Sequence, residues 1–186
     1  MKSPFYFIVE PLNGQRYDNV RKYNNSEFII SSSQEDHTVT NRLAVVNEIP
    51  MYYSGPIKIG DTIVVHHNVF RIYYDMKGNE RSSWNLYKDN IFVVEEDQIF
   101  LYKDNESEWN APFPFCFVEP IKTNDTGLLS TGKYEPLIGN IIYYPKTDNN
   151  IKTNDTVYFE PESEYEFRID DRLLYRMKLQ NLCLKI

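Results

Sequence analysis

Apolar positions along this chain come in short runs. Residues 5–12, 98–102 and 115–121 are runs of four to eight residues rich in Val, Ile, Phe and Tyr, bounded by Gly, Pro, Asn or Asp. That length, that enrichment and those boundaries are what half-buried strands between turns require, so an all-β chain is predicted.

The strand pattern is written twice. "FYFIVEPL" at 5–12 matches "FCFVEPI" at 115–121, and "IKIGDTIVV" at 57–65 matches "IKTNDTVYF" at 151–159. "FVV" and "DQIFLY" at 92–94 and 97–102 match "YRM" and "QNLCLK" at 175–177 and 180–185. The offsets fall from 109 to 94 to 83 in chain order, so the second copy is the first with shorter connections. Gly60 and Asn154 hold the same place in the turn before a strand. Both residue types tolerate positive φ, which predicts a left-handed turn position in each copy. Polar residues 103–108, with Pro112 and Pro114 beyond them, end the first copy. The expected organisation is a first unit at 1–106, a linker at 107–112 and a second unit at 113–186. Residues 69–90 have no counterpart of equal length and read as a hairpin specific to the first copy, with Tyr73-Tyr74 entering a turn at Lys77-Gly78.

Composition narrows the function classes. The 186 residues are 41% hydrophobic and 15% aromatic, ample for packed cores. The net charge is -7, divided as -5 through residue 110 (11 basic, 16 acidic) and -2 after it (9 basic, 11 acidic). No run of Lys or Arg occurs, which argues against a nucleic-acid partner. The absence of an apolar stretch of 18 residues and of a signal-type h-region points to a soluble, cytoplasmic protein with no membrane partner. Cys116 and Cys183 share no metal-binding or redox spacing and read as buried free thiols. Neither GxGxxG nor GxxxxGK[ST] is present, so no nucleotide cofactor is expected. His66 and His67, adjacent on a predicted strand, should point to opposite faces, one buried and one exposed, and so not close on one metal. Glu160, Glu162, Glu164 and Glu166 alternate along a strand-like stretch and read as a solvated face, with a hard-cation site as the alternative. No catalytic, metal-binding or cofactor-binding residue is assigned.

In order and spacing, "FIVEPL" and "FVEPI", an apolar tripeptide in a polar loop, "RLAVV" and "NIIYY", "IKIGDTIVV" and the closing "YEFRIDDRLLYRMKLQNLCLKI" resemble the GroES-type co-chaperonin family. The resemblance spans both halves and is similar to tandem co-chaperonins with two GroES-like units in one chain. It implies two irregular GroES-like β-barrels in tandem and a lid without an active site or cofactor. Such a lid caps the folding chamber of a GroEL-type chaperonin ring, host or cognate, and acts as a homo-oligomeric ring. It further implies that each closing strand pairs with the opening strand of the next unit, 98–102 with 115–120, and 181–185 with 6–9 of the next chain.

In that family the chaperonin is gripped by a loop ending in a short apolar run. The matching residues here are Phe28, Ile29 and Ile30 in the first copy and Leu128 and Leu129 in the second, where only the second keeps the preceding glycine. From composition alone each run reads first as a short core strand, and the surrounding Asn, Ser, Thr and Gly, which are loop residues, tilt it toward a loop. The Asn-, Lys-, Ile- and Tyr-rich composition and the divergence of the copies point to a virus or phage, and so to the host cytoplasm. Two other classes stand beside the lid: a structural or interaction protein that keeps the barrel without chaperonin binding, and a hydrolase or metalloenzyme using His66 or His67.

Overall fold

A computed structural model of the chain describes residues 1–17, 20–23, 26–29, 41–104, 107–123, 134–146, 150–170 and 172–186, with the backbone alone for 20–23 and 26–29. The chain divides into two units, Met1–Glu108 and Trp109–Ile186, a division inside the expected linker. It is all-β. The first unit holds β1 (Phe7–Pro11), β2 (Val20–Tyr23), β3 (Ser26–Ile29), β4 (Leu43–Glu48), β5 (Thr62–Val65), β6 (Ile72–Tyr74), β7 (Glu80–Ser82), β8 (Leu86–Lys88), β9 (Ile91–Val94) and β10 (Ile99–Lys103). The second holds β11 (Phe115–Lys122), β12 (Tyr134–Tyr143), β13 (Thr156–Phe159), β14 (Tyr165–Ile169), β15 (Arg172–Lys178) and β16 (Leu182–Lys185).

Each unit builds one six-stranded antiparallel sheet. The order is β10-β5-β4-β1-β9-β8 in the first and, from the corresponding end, β16-β13-β12-β11-β15-β14 in the second. The repeated segments occupy the same places: β1 and β11 inside, β5 and β13 one place from an edge, β10 and β16 at that edge. A short 3-10 turn precedes the last strand in both, Glu96–Gln98 and Leu179–Asn181. The 69–90 insertion forms the β6–β7 hairpin, turning at Gly78 with φ 77°, and adds β8 to the first sheet through β9.

The repeated turn has the predicted geometry, with Gly60 at φ 91° and Asn154 at φ 70°. An aspartate closes each turn: Asp61 Oδ2 accepts from Lys58 N at 2.8 Å, and Asp155 Oδ2 from Lys152 N at 2.7 Å. The next residue back anchors to the neighbouring strand, Gly60 N donating to Val46 O at 2.8 Å and Asn154 N to Ile141 O at 2.7 Å. In the second unit Lys185 Nζ adds an ion pair to Asp155 at 2.6 Å. That bond, followed by the Lys152 N–H, holds the Asp155 carboxyl below its ordinary value against opposing desolvation. A folded-state value below the unfolded one, about 3.9, means the carboxylate's contribution is complete above the unfolded value and is lost as pH falls through the folded value. Asp155→Asn is therefore expected to melt at a lower temperature than wild type near neutrality, with the gap closing below about pH 3.9. Thermal melts across acid pH test this, and a gap that stays constant to the lowest pH contradicts it.

Matching positions fill both cores, with sizes exchanged. Phe7, Val9, Val46, Ile63, Val65 and Val94 are core residues of the first unit, and Cys116, Val118, Ile141, Val157, Phe159 and Met177 of the second. Phe7 faces Val94 across the β1–β9 pair, whereas Cys116 faces Met177 across β11–β15. Volume lost at Phe7/Cys116 returns at Val94/Met177 and Val65/Phe159, as close packing demands.

Several expectations are corrected. Each closing strand takes a place in its own unit's sheet, β10 pairing with β5 and β16 with β13. Both edges of β1 are taken by β4 and β9, and both edges of β11 by β12 and β15, leaving no ladder for an incoming strand. His66 and His67 lie just past β5, both half-buried, with ring centroids 4.2 Å apart. The turn there stacks the rings instead of alternating them across a strand. Glu160, Glu162, Glu164 and Glu166 are all exposed but do not share a strand, because a turn with Glu162 at φ 60° separates β13 from β14.

Of the two free thiols Cys116 is buried as expected, whereas Cys183 is exposed on edge strand β16. Burial pushes the Cys116 thiol up to about 12, so it is both shielded and protonated near neutrality. The native chain is expected to consume one equivalent of an aromatic disulfide reagent rapidly, and the second only in denaturant. Two fast equivalents would show that Cys116 is accessible.

Candidate functional site

The chain leaves both sheets at the same point, after the opening strand. In the first unit β1 ends at Pro11 and β4 begins at Leu43; in the second β11 ends at Lys122 and β12 begins at Tyr134. These connections carry the apolar runs singled out above.

The first connection is clasped at its base. Asn13 and Gly14 turn the chain with φ 59° and 69°, and Asn41 then ties the two ends together. Its Nδ2 donates to Gln15 O at 2.6 Å and Leu12 O at 3.4 Å, its backbone N donates to Arg16 O at 3.0 Å, and its Oδ1 accepts from Leu43 N at 2.9 Å. Asparagine suits this place because one short side chain supplies both donor and acceptor.

Arg16 fastens the clasp to the insertion. Its guanidinium donates to Phe70 O at 3.1 Å, Ser82 Oγ at 3.2 Å and Arg71 O at 3.3 Å, and lies 5.1 Å from the centroid of the Phe92 ring. Partial burial lowers the Arg16 pKa from its ordinary value. Tyr17 completes the contact by accepting from Ile72 N at 2.7 Å through its hydroxyl. The insertion specific to the first copy thus braces the stem of that copy's long connection.

The second connection is closed by strand pairing, Lys122 opposite Tyr134. Nearby, Arg172 grips Glu119 with both arms of its fork, Nε to Oε1 at 3.1 Å and Nη2 to Oε2 at 2.9 Å. The Glu119 bond is the first cause of a raised Arg172 pKa.

Phe28 and Ile29 lie on β3, where their backbones pair with Arg21 and Val20 of β2 in a separate two-stranded hairpin. Ile30, Leu128 and Leu129 lie outside the described residues. The five residues are thus not brought into one described site; what the two connections share is the place from which they leave. Arg16 and Asn41, which organise the first stem, carry no sequence signal: they are 25 positions apart in polar surroundings. Among the described residues no group of three or more His, Cys, Asp or Glu is placed to hold a metal ion, and no helix is long and apolar enough to cross a membrane. No protein-family model matches the chain, and no curated protein matches its sequence.

Proposed function

We propose that the chain is a GroES-like co-chaperonin, a lid that docks on a GroEL-type chaperonin ring through apolar residues in the connections after β1 and β11. The observation that carries this reading is the repeated framework: two sheets with one strand order, each releasing a connection that bears an apolar run after its opening strand. Phe28, Ile29 and Ile30 are the contact residues of the first connection and Leu128 and Leu129 those of the second.

Burying three large apolar side chains contributes roughly 5 to 9 kcal/mol gross. Ordering a ten-residue loop costs about 1 to 2 kcal/mol per residue before its internal contacts are counted. One loop binds weakly, and several held by one ring bind through avidity while remaining releasable. A homo-oligomer of this kind has to assemble without the ladders of β1 and β11, which are filled. The edge strand β16 is open to such use. Leu184 and the adjoining Ile186 are 65% and 73% exposed, whereas Phe100 and Leu101 on the corresponding strand β10 are buried.

The pairing of β3 with β2 favours a second reading for the first copy: a hairpin serving a structural or interaction role without chaperonin binding. Sedimentation of the full chain with a GroEL-type chaperonin, with and without ATP, separates the two. Co-sedimentation that depends on nucleotide is expected from a lid; no association with a chaperonin from the natural host in either state supports the interaction protein.

A further inference from the structure

A cleft of about 400 Å³ in the second unit is lined by Glu119, Lys122, Tyr134, Arg168, Arg172 and Leu173. Its cations come from distant parts of the sequence, Lys122 standing 46 residues before Arg168. Strand pairing unites them: β11 pairs with β15, and β15 pairs with β14, setting Arg168 opposite Leu173 beside Arg172. Arg172 is neutralised and fixed by its two-armed bond to Glu119. The side chains of Lys122 and Arg168 have no hydrogen-bond or ion-pair partner among the described residues. Three cations against one carboxylate therefore line a concave site in a chain with 27 acidic and 20 basic residues.

We propose that this cleft binds a small molecule carrying two or more oxyanion groups, with Lys122 and Arg168 as the charge-pairing residues. A guanidinium presents paired donors to phosphate or carboxylate, and an ammonium adds a mobile point charge. Arg172, held in place by Glu119, and Tyr134 complete the lining. The volume is that of a small-ligand pocket. A nucleic-acid chain is a poorer fit, because it would follow a longer basic track and meet the chain's net charge of -7. The cleft shares Lys122 and Tyr134 with the base of the second connection, but the proposal does not rest on chaperonin capping and is tested without a chaperonin.

Isothermal titration of the full chain at low ionic strength, with inorganic pyrophosphate in one arm and citrate in the other, tests the proposal and distinguishes phosphate from carboxylate. Saturable binding of at least one probe, one per chain, is expected. The K122A/R168A double variant should weaken it at least tenfold, and added salt should weaken it in wild type. A control with the same loss of charge, K77A/K88A on the first unit, should change affinity less than twofold. Should the alanine pair unfold the chain, K122Q/R168Q serves the same purpose. Absence of saturable binding by both probes overturns the proposal, as does equal weakening in both double variants, which would reduce the effect to net charge.

Discussion

Gly139→Val is expected to destabilise the second unit by about 3 kcal/mol or more. Gly139 lies within β12, opposite Pro120 of β11 and Val157 of β13, so backbone closes on it from both sides. A Cβ there would stand 2.4 Å from Val118 Cγ1 and 2.6 Å from the carbonyl oxygen of Glu119. The valine methyl group can rotate away. The carbonyl belongs to the neighbouring strand, and moving it means prising β11 from β12. The matching position of the first unit holds the next smallest residue, the buried Ala44 opposite Pro11, so there the ladder leaves room for a single methyl. At a typical 4 to 8 °C per kcal/mol for a unit of this size, a fall on the order of 10 °C or more in melting temperature follows. Circular dichroism melts measure it; a Tm within 2 °C of wild type would show that the strands separate more readily than this packing implies. The reverse change in the first unit, Ala44→Gly, removes one buried methyl and loosens the unfolded chain, a loss of roughly 1 kcal/mol.

What the sequence discloses and conceals divides along the same physical line. The repeat is legible because strand residues and the Gly60/Asn154 turn obey local rules: apolar runs must be buried, and a left-handed position needs Gly or Asn. The exchange of Phe7 for Cys116 is opaque, since Val94/Met177 and Val65/Phe159, which restore the volume, are distant in sequence. Partner choice is equally hidden. Residues 98–102 read as a strand, but nothing in their alternation says whether they join β5 of their own sheet or the opening strand of another unit. Cys183 has the same character: its apolar neighbours suggest burial, while its place on an edge strand leaves it exposed. At the candidate site, loop-like residues around Phe28 and Ile29 suit a two-stranded hairpin as well as an open loop. The cationic cleft is invisible in the sequence for a simpler reason: Lys122 and Arg168 form no run and share a cleft only after β11, β14 and β15 have paired.

Leu128→Ser with Leu129→Ser is expected to abolish chaperonin binding while leaving the fold intact. On the proposed reading each leucine contributes about 1.5 to 3 kcal/mol when buried against a partner, so the pair weakens a single contact by roughly 3 kcal/mol at least. That is more than a hundredfold, multiplied wherever several loops engage together. Surface substitutions of this kind typically shift stability by no more than about 0.5 kcal/mol. The matching change at Phe28, Ile29 and Ile30 should have a smaller effect on binding, because β3 is already committed to pairing with β2 and only the second connection keeps glycine beside its apolar run. Val9→Ala and Val157→Ala provide the contrast. Both residues are core, 0% and 1% exposed, and truncation there should lower stability by about 1 kcal/mol or more without touching the docking residues. Melting and chaperonin co-sedimentation on the same preparations separate the outcomes. Loss of binding at an unchanged Tm supports the lid. A Leu128/Leu129 variant that unfolds or aggregates makes those leucines core. One that stays folded and still binds moves the contact to the first connection or to another surface.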